Sequence, residues 1–375
     1  MKILMLSTDP RILEEGSAVS LRLRAYGALT DGITVLVSSG ALSERREVSL
    51  SREVTLIAVP PSPRVLRPLA LIRAGFALRR EGFSLITAQD PFETGFAGAV
   101  LSLLLSVPLE VQVHTDFLSP FFSRHSFLNR MRVALAGFIL PRARAVRVVS
   151  ERIKRSLVER YRIPAQRITV LPILNSPREA PASPVRLKER FPQFSSFSVA
   201  VSRLESEKNV GALLEAFAAV VRTEKDAALM ILGDGRERGA LVAHTLELGI
   251  DKNVIFDGWQ DPLPYLAEAD LFVQNSLYEG YGLTLVEAAQ AGCPILTTDV
   301  GIVGEVITEE NAAIVAPGDT PAFARAWQTA LENPQFMREK AERAAEAVRE
   351  HMALSPEAYA ERIVGLWEKA CAKSV

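Results

Sequence analysis

The 375-residue chain is poor in the residues that build disulfide, metal and redox centres, with two cysteines and four histidines. Cys293 and Cys371 cannot form a disulfide framework, and no metal-ligand spacing joins either to a histidine, so a reducing cytoplasm is the expected compartment. No Asp-x-Asp pair occurs, so a metal held by that device against a diphosphate is not expected. Neither G-x-x-x-x-G-K-[ST] nor a G-x-G-x-x-G after the first strand is present; this argues against a P-loop NTPase and an ordinary dinucleotide dehydrogenase. Long apolar runs are missing too: the longest, Phe96 to Val107, falls short of the ~20 residues that a membrane span needs. The opening MKILMLSTDPR reaches acidic and proline residues too soon for a signal peptide and reads as a first strand.

What is present is an ordinary globular composition, 48% hydrophobic and 23% charged, at a length that suggests two domains. The net charge of −1 hides a division. Residues 1–175 carry 24 Lys+Arg against 14 Asp+Glu, a balance of +10, and the remainder carry 19 against 30, a balance of −11. Such asymmetry suggests that one half faces an anionic partner.

Short β-prone runs alternate with helical patterns: Lys2 to Ser7, Ile33 to Ser38, Val54 to Val59, Phe83 to Ala88, Leu109 to His114 and Ala145 to Ser150. The helix ERIKRSLVERY and the short strand RITVLP follow, and then Asn175 to Pro184, whose three prolines mark a linker. A second alternation runs through Phe197 to Ser202, Ala227 to Leu232, Asn253 to Asp257, Leu271 to Gln274, Cys293 to Thr297 and Ala312 to Val315. The expected fold is α/β, with two doubly wound, Rossmann-like parallel-sheet domains over 1–175 and 185–355. The tail reads as helical from Thr320, with breaks at Asn333-Pro334 and Ser355-Pro356. Its last segment, 356–375, puts Tyr359, Ile363, Leu366, Trp367 and Ala370 on one face and is expected to dock back on the first domain.

The chemistry concentrates in Leu271 to Gly292, LFVQNSLYEGYGLTLVEAAQAG, which reads as a strand, a glycine loop through Gly280 and Gly282, and a helix beginning at Thr284. A helix start offers backbone N–H groups and a partial positive charge to a phosphate. Glu279 and Glu287 bracket this seat, and carboxylates accept hydrogen bonds from hydroxyls. Phosphates between polyhydroxylated ends describe a sugar nucleotide. Two other readings stand beside this one, Glu287 as the partner of Thr284 in a capping box and Glu279 as a solvated loop residue.

Arg203 and Lys208 follow the first strand of the second domain, where two cations would neutralise a diphosphate or else be ordinary surface charges. Gly233-Asp234-Gly235 ends the next strand as a tight turn, open to a base or ribose or simply a turn. Trp259-Gln260-Asp261 ends the third, with an aromatic that flanks a base or belongs to the core. In the first domain His114 ends a strand and reads as structural or as a site residue. Gly16-Ser17 begins a helix near phosphate or acceptor, and Asp90 caps the next helix or binds a hydroxyl, capping being the stronger reading.

Together these residues resemble the retaining GT-B glycosyltransferases of family four. The resemblance rests on Glu279-GYGLTLV-Glu287, on SRLESEKN with Arg203 and Lys208, on LGDG at Leu232 to Gly235, on VIFDGW at Val254 to Trp259, and on His114. It implies a GT-B fold of two Rossmann-like domains facing a cleft, with a C-terminal helix crossing back to the first. It also implies a hexosyltransferase-type enzyme that uses a UDP- or GDP-linked sugar and no metal or other cofactor. Arg203 and Lys208 would hold the donor diphosphate, Glu287 the ribose, Glu279 the transferred sugar, and the Gly282–Leu283–Thr284 backbone the phosphates, with Gly233 and Gly16 lining the site and His114 beside the sugar. Three departures stand out: a single glycine at Gly16 where paired glycines are usual, Asn175-Ser176 in place of Asn-Gly, and Asn275 where proline is common.

From Phe121 to Val170 there are 12 Lys+Arg against two acids, interleaved with Phe121, Phe122, Phe127 and Phe138. This reads as a solvated basic face or as an interfacial surface for anionic lipid, with peripheral association at the inner membrane face and a glycan or lipid-linked acceptor in exopolysaccharide or envelope glycan assembly. No base-reading motif accompanies it, so nucleic acid is not expected. The competing functions are a sugar-nucleotide epimerase or a phosphorylase on the same fold, and a sugar-nucleotide-binding scaffold without turnover, which would show lost charges in the site.

Overall fold

The computed structural model describes residues 1–38, 46–60, 63–174, 185–352 and 354–372. The proline-rich stretch Asn175–Pro184, with the Asn175-Ser176 departure, lies outside the described residues. The chain divides into two compact units, Met1–Leu174 with Leu354–Val375, and Asn175–Ala353.

In the first unit the strands are β1 (Lys2–Ser7), β2 (Gly32–Ser38), β3 (Arg46–Ser49), β4 (Val54–Val59), β5 (Leu85–Ala88), β6 (Leu109–Val113), β7 (Ala145–Val148) and β8 (Ile168–Val170), ordered β3-β4-β2-β1-β5-β6-β7-β8. Every pairing is parallel except β3 with β4. β3 went unread because Arg46-Glu47-Val48-Ser49 has one apolar residue and forms a largely exposed edge, where no core imposes alternation. The order reverses between β1 and β5, the kind of switch point at which doubly wound sheets open a crevice beyond the strand carboxyl ends.

The last helix, Pro356–Cys371, belongs to this unit. Tyr359, Ile363, Val364 and Trp367 are buried in one cluster with Ile3, Met5, Val35 and Leu85, and Trp367 meets Tyr26 edge-on at 5.7 Å. The apolar face expected of the tail is therefore satisfied by the amino-terminal sheet, which buries an indole that would otherwise cost about 2–3 kcal/mol of exposed apolar surface.

The second unit contains β9 (Ser196–Val201), β10 (Ala227–Leu232), β11 (Val254–Gly258), β12 (Leu271–Gln274), β13 (Ile295–Thr298) and β14 (Ala313–Val315), ordered β11-β10-β9-β12-β13-β14 and parallel throughout. Its strands read as continuous apolar runs because helices cover both faces. Phe217, Phe323 and Trp327 fill one face, and the Trp327 Nε1–H donates to Ser198 Oγ at 2.9 Å, so the buried indole leaves no orphan donor. The switch lies between β9 and β12. Among the described residues no helix is long and apolar enough to cross a membrane.

Candidate functional site

The β9–β12 switch of the second unit brings two of the loops singled out in the sequence side by side. After β9 the chain passes Arg203, makes a 3-10 turn at Ser206–Lys208, takes a left-handed step at Asn209 and enters the helix Val210–Thr223. After β12 it runs through Asn275 and Ser276 to Glu279. The Leu277 N–H donates to the Glu207 carbonyl at 2.9 Å and ties the loops together. Lys208 Nζ then donates to Glu279 Oε1 at 2.5 Å, with both side chains mostly buried, and Ser276 Oγ donates to the same oxygen at 2.8 Å. Arg203 behaves differently: its guanidinium is 64% exposed and pairs with Glu207, four residues along, at 2.9 Å.

The helix Leu283–Gln290 follows, and here the capping-box reading is corrected. The helix opens at Leu283 with Gly282 as its N-cap at φ +92°, and no side chain caps it. Thr284 instead donates its hydroxyl to Gln274 Oε1 at 2.7 Å, clamping the helix start to the end of β12. Thr284 is the second helical residue, two positions past the cap, so its side chain cannot serve as the N-cap acceptor. Gly282 brings no side-chain acceptor to the first-turn N–H groups, which favours an anion there. Glu287 lies on the second turn, half-buried.

Gly233 has a reason for being glycine that needs no ligand. At φ +139° a Cβ there would lie 1.9 Å from the Ser202 carbonyl oxygen, and one at Gly235 would lie 2.3 Å from that of Leu204. Their loop is laced to the Arg203 loop by Leu204 N–H to Asp234 O at 2.9 Å and Glu237 N–H to Leu204 O at 3.1 Å. Trp259, beyond β11, is 77% exposed and so is no core residue. Ser276, Glu207 and Gly301 escaped the sequence reading. A Cβ on Gly301 would sit 2.3 Å from the Tyr281 carbonyl and 3.2 Å from Glu279 Cβ, so this glycine lets the Glu279 loop fold down. Only tertiary packing reveals that.

In the first unit, His114 follows β6 and is half-buried. Its Nε2 lies 3.1 Å from Gln112 Oε1, which also accepts from buried Arg147 at 3.0 Å. Burial, reinforced by the Arg147 and Arg22 cations, holds the imidazole down at about 3, so it is neutral at ordinary pH. Gln112 and Arg147 were not singled out in the sequence. The available signal was three polar residues, Glu110, Gln112 and His114, at period two along an otherwise apolar strand. Gly16 takes φ +80° before Ser17, whose Oγ accepts from Ser20 N–H at 3.1 Å to cap the helix Ala18–Gly27. Asp90 acts as a cap: Oδ1 accepts from Phe92 N–H at 2.7 Å and Thr94 N–H at 3.2 Å.

The basic aromatic stretch is divided by the fold. Phe122 is core, stacked on Phe92 at 5.9 Å, whereas Phe127 and Phe138 are exposed. The 12-residue apolar run Phe96 to Val107 falls within the helix Glu93–Leu105 except for its cap Ser106 and Val107 beyond it, and Leu103 and Leu104 are exposed.

Comparison with known proteins bears on the family and the fold. Residues 186–351 match the family model described as Glycosyl transferases group 1, and residues 23–173 match that of Glycosyltransferase Family 4. A curated relative, the 2-deoxystreptamine glucosyltransferase of Streptomyces kanamyceticus, is 28% identical over 251 residues. That match covers 64% of this chain and 65%, just under two thirds, of the relative's length. Among solved structures, sucrose-phosphate synthase from Thermosynechococcus elongatus superposes with a TM-score of 0.81 at 20% identity, covering 98% of both chains. Anabaena HepE in complex with UDP and glucose does so at 0.73 and 22%, covering 97% of this chain and 98% of that one. At such identities the likeness speaks for the fold. With each unit matched by a glycosyltransferase family model and the architecture shared along nearly the whole chain, the protein belongs to the group 1 glycosyltransferases and has the GT-B fold.

Proposed function

We propose that the protein transfers a hexose, with retention of configuration, from a UDP- or GDP-sugar to a glycan or lipid-linked acceptor in exopolysaccharide or envelope glycan synthesis. The observation that carries this reading is the Lys208–Glu279 pair beside the uncapped start of Leu283–Gln290. A cation, a carboxylate and the N–H groups of a helix start meet at one switch point, which supports the reading. Breaking the anomeric C–O bond leaves negative charge on the nucleoside diphosphate. Lys208, Arg203 and the Leu283–Thr284 N–H groups are the donors that would stabilise that charge as it develops, in place of a metal ion. Glu279 would accept from hydroxyls of the transferred sugar and Glu287 from the ribose; Gly233, Gly282 and Gly16 would line the ligand, with His114 beside the sugar. The UDP complex of the Anabaena neighbour supports a uridine donor. NMR of the product formed from an α-linked donor tests retention: an α-linkage agrees, and a β-linkage rejects it.

The acceptor face is proposed to be the helical layer of the first unit. The helices Arg67–Ala77, Glu93–Leu105 and Phe127–Ile139 pack side by side and expose Leu69, Phe76, Leu103, Phe127, Met131 and Phe138. Arginines lie over three of the rings: Arg79 on Phe76 at 5.1 Å, Arg130 on Phe127 at 5.5 Å and Arg142 on Phe138 at 3.8 Å. Apolar side chains rimmed by guanidinium groups suit the headgroup region of an anionic leaflet. Sedimentation with phosphatidylglycerol vesicles at low salt tests this; absence of binding there, in folded protein, rejects the membrane component.

A further inference from the structure

The hydrogen bonds beneath His114 have fixed directions. Gln112 and Arg147 are opposite one another in the β6–β7 register, and Thr87 is opposite Glu110 in β5–β6. Arg147 has only donors, so its bond to Gln112 Oε1 at 3.0 Å makes that atom the amide oxygen and an acceptor. The amide nitrogen faces Thr87 Oγ1 at 3.2 Å, as this orientation requires. Thr87 in turn donates to Glu110 Oε2, which also accepts from Trp367 Nε1–H at 3.2 Å. Arg147 itself is clamped: it donates to the Leu171 carbonyl at 3.1 Å and to the Tyr359 hydroxyl at 2.6 Å, and that hydroxyl donates to the Pro172 carbonyl at 2.9 Å. Gln112 and Arg147 are 5% and 6% exposed, so water has little access to relax the arrangement. An oxygen already committed as an acceptor faces His114 Nε2, and this leaves that nitrogen one role, as the donor.

We infer that Gln112, locked by Arg147 and the Tyr359 hydroxyl of the last helix, is a positioning residue that holds His114 as its Nε2–H tautomer, so that Nδ1 offers a lone pair to a hydroxyl of the bound sugar. No described residue bonds Nδ1. The part concerning the sugar rests on the proposed transfer function, whereas the tautomer rests on the hydrogen-bond directions alone. The last helix thereby acts on the site from below: Tyr359 fixes Arg147, Arg147 fixes the amide, and the amide fixes the imidazole.

The test is a long-range proton–nitrogen correlation spectrum of the full chain labelled with nitrogen-15 histidine and recorded without substrate. His114 is identified by the signal lost in His114→Gln. The Nε2–H pattern is expected and is held as the pH is lowered from 8 to 5. Gln112→Glu keeps an acceptor oxygen there and keeps the tautomer, whereas Gln112→Met gives mixed tautomers and lowers kcat by about tenfold with little change in donor KM. An Nδ1–H pattern in the wild type overturns the inference even where transfer is observed, and so does Gln112→Met retaining both tautomer and kcat. A wild-type protein with the expected tautomer that turns over no donor counts against the transfer reading and leaves the tautomer assignment standing.

Discussion

Lys208 and Glu279 come from loops 71 residues apart in sequence and meet at 2.5 Å across the β9–β12 switch. The Leu277–Glu207 backbone bond ties the two loops together, and Ser276, from Glu279's own loop, holds the carboxylate. On the proposed function, an entering diphosphate would compete with Glu279 for the ammonium, and an entering sugar with Lys208 for the carboxylate.

On the proposed function, removing the Lys208 cation would remove a donor to the leaving group. Lys208→Ala is expected to lower kcat about 10²–10³-fold, the scale of one transition-state donor. Steady-state kinetics of diphosphate release decide; a change below threefold contradicts the assignment.

The two carboxylates separate by role. Glu279→Ala slows transfer yet holds or tightens UDP binding, because Lys208 loses its internal competitor. Glu287→Ala weakens UDP about tenfold, or about 1.4 kcal/mol. Calorimetric titration of both variants checks this, and wild-type behaviour in both removes the assignments.

Gly233→Ala puts a Cβ against the Ser202 carbonyl, where the backbone must move. A loss of at least about 2 kcal/mol is expected, read as a lower midpoint in urea. The second unit should carry the loss. Trp367→Ala empties the first-unit core and removes a donor to Glu110 Oε2, at about 3–5 kcal/mol.

His114 also sets a pH dependence. Its folded value, about 3, lies below the ordinary 6.5, so on acidification the unfolded chain takes up a proton that the folded one refuses. Stability therefore falls as pH drops from about 6.5 towards 3, by roughly 1 kcal/mol per pH unit below 6. Buried Glu110 runs oppositely: burial raises its value, so it contributes stability at low pH that is lost as pH rises through the folded value. Urea denaturation of His114→Gln against wild type at pH 7 and 5.5 isolates the histidine, and the variant is expected to show the smaller loss.

Strand existence was legible wherever a helix layer buries both faces, because the run is then continuously apolar, as in β10 and β12. The edge strand β3 was not. The helix breaks at Pro334 and Pro356 were legible because proline removes a donor, and both residues open helices. The positions of Arg203, Lys208 and Glu279 in the loops after β9 and β12 were readable from spacing after strands. What spacing could not give was pairing: Glu207 on Arg203, Ser276 on Glu279, and Gln112 with Arg147 under His114 all depend on which strands become neighbours. The capping box failed on two residues of register, because the cap is Gly282 and not Thr284, which local pattern does not fix.

The central claim, that charged side chains and a helix start replace a metal at the donor diphosphate, is tested most directly by thermal shift and diphosphate release. UDP-, GDP- and ADP-sugars are screened in EDTA, with wild type and Lys208→Ala side by side. One donor is expected to stabilise the wild type and release its diphosphate without metal, with the variant losing both effects. Turnover that appears only on adding a divalent cation, or a variant indistinguishable from wild type, would contradict it.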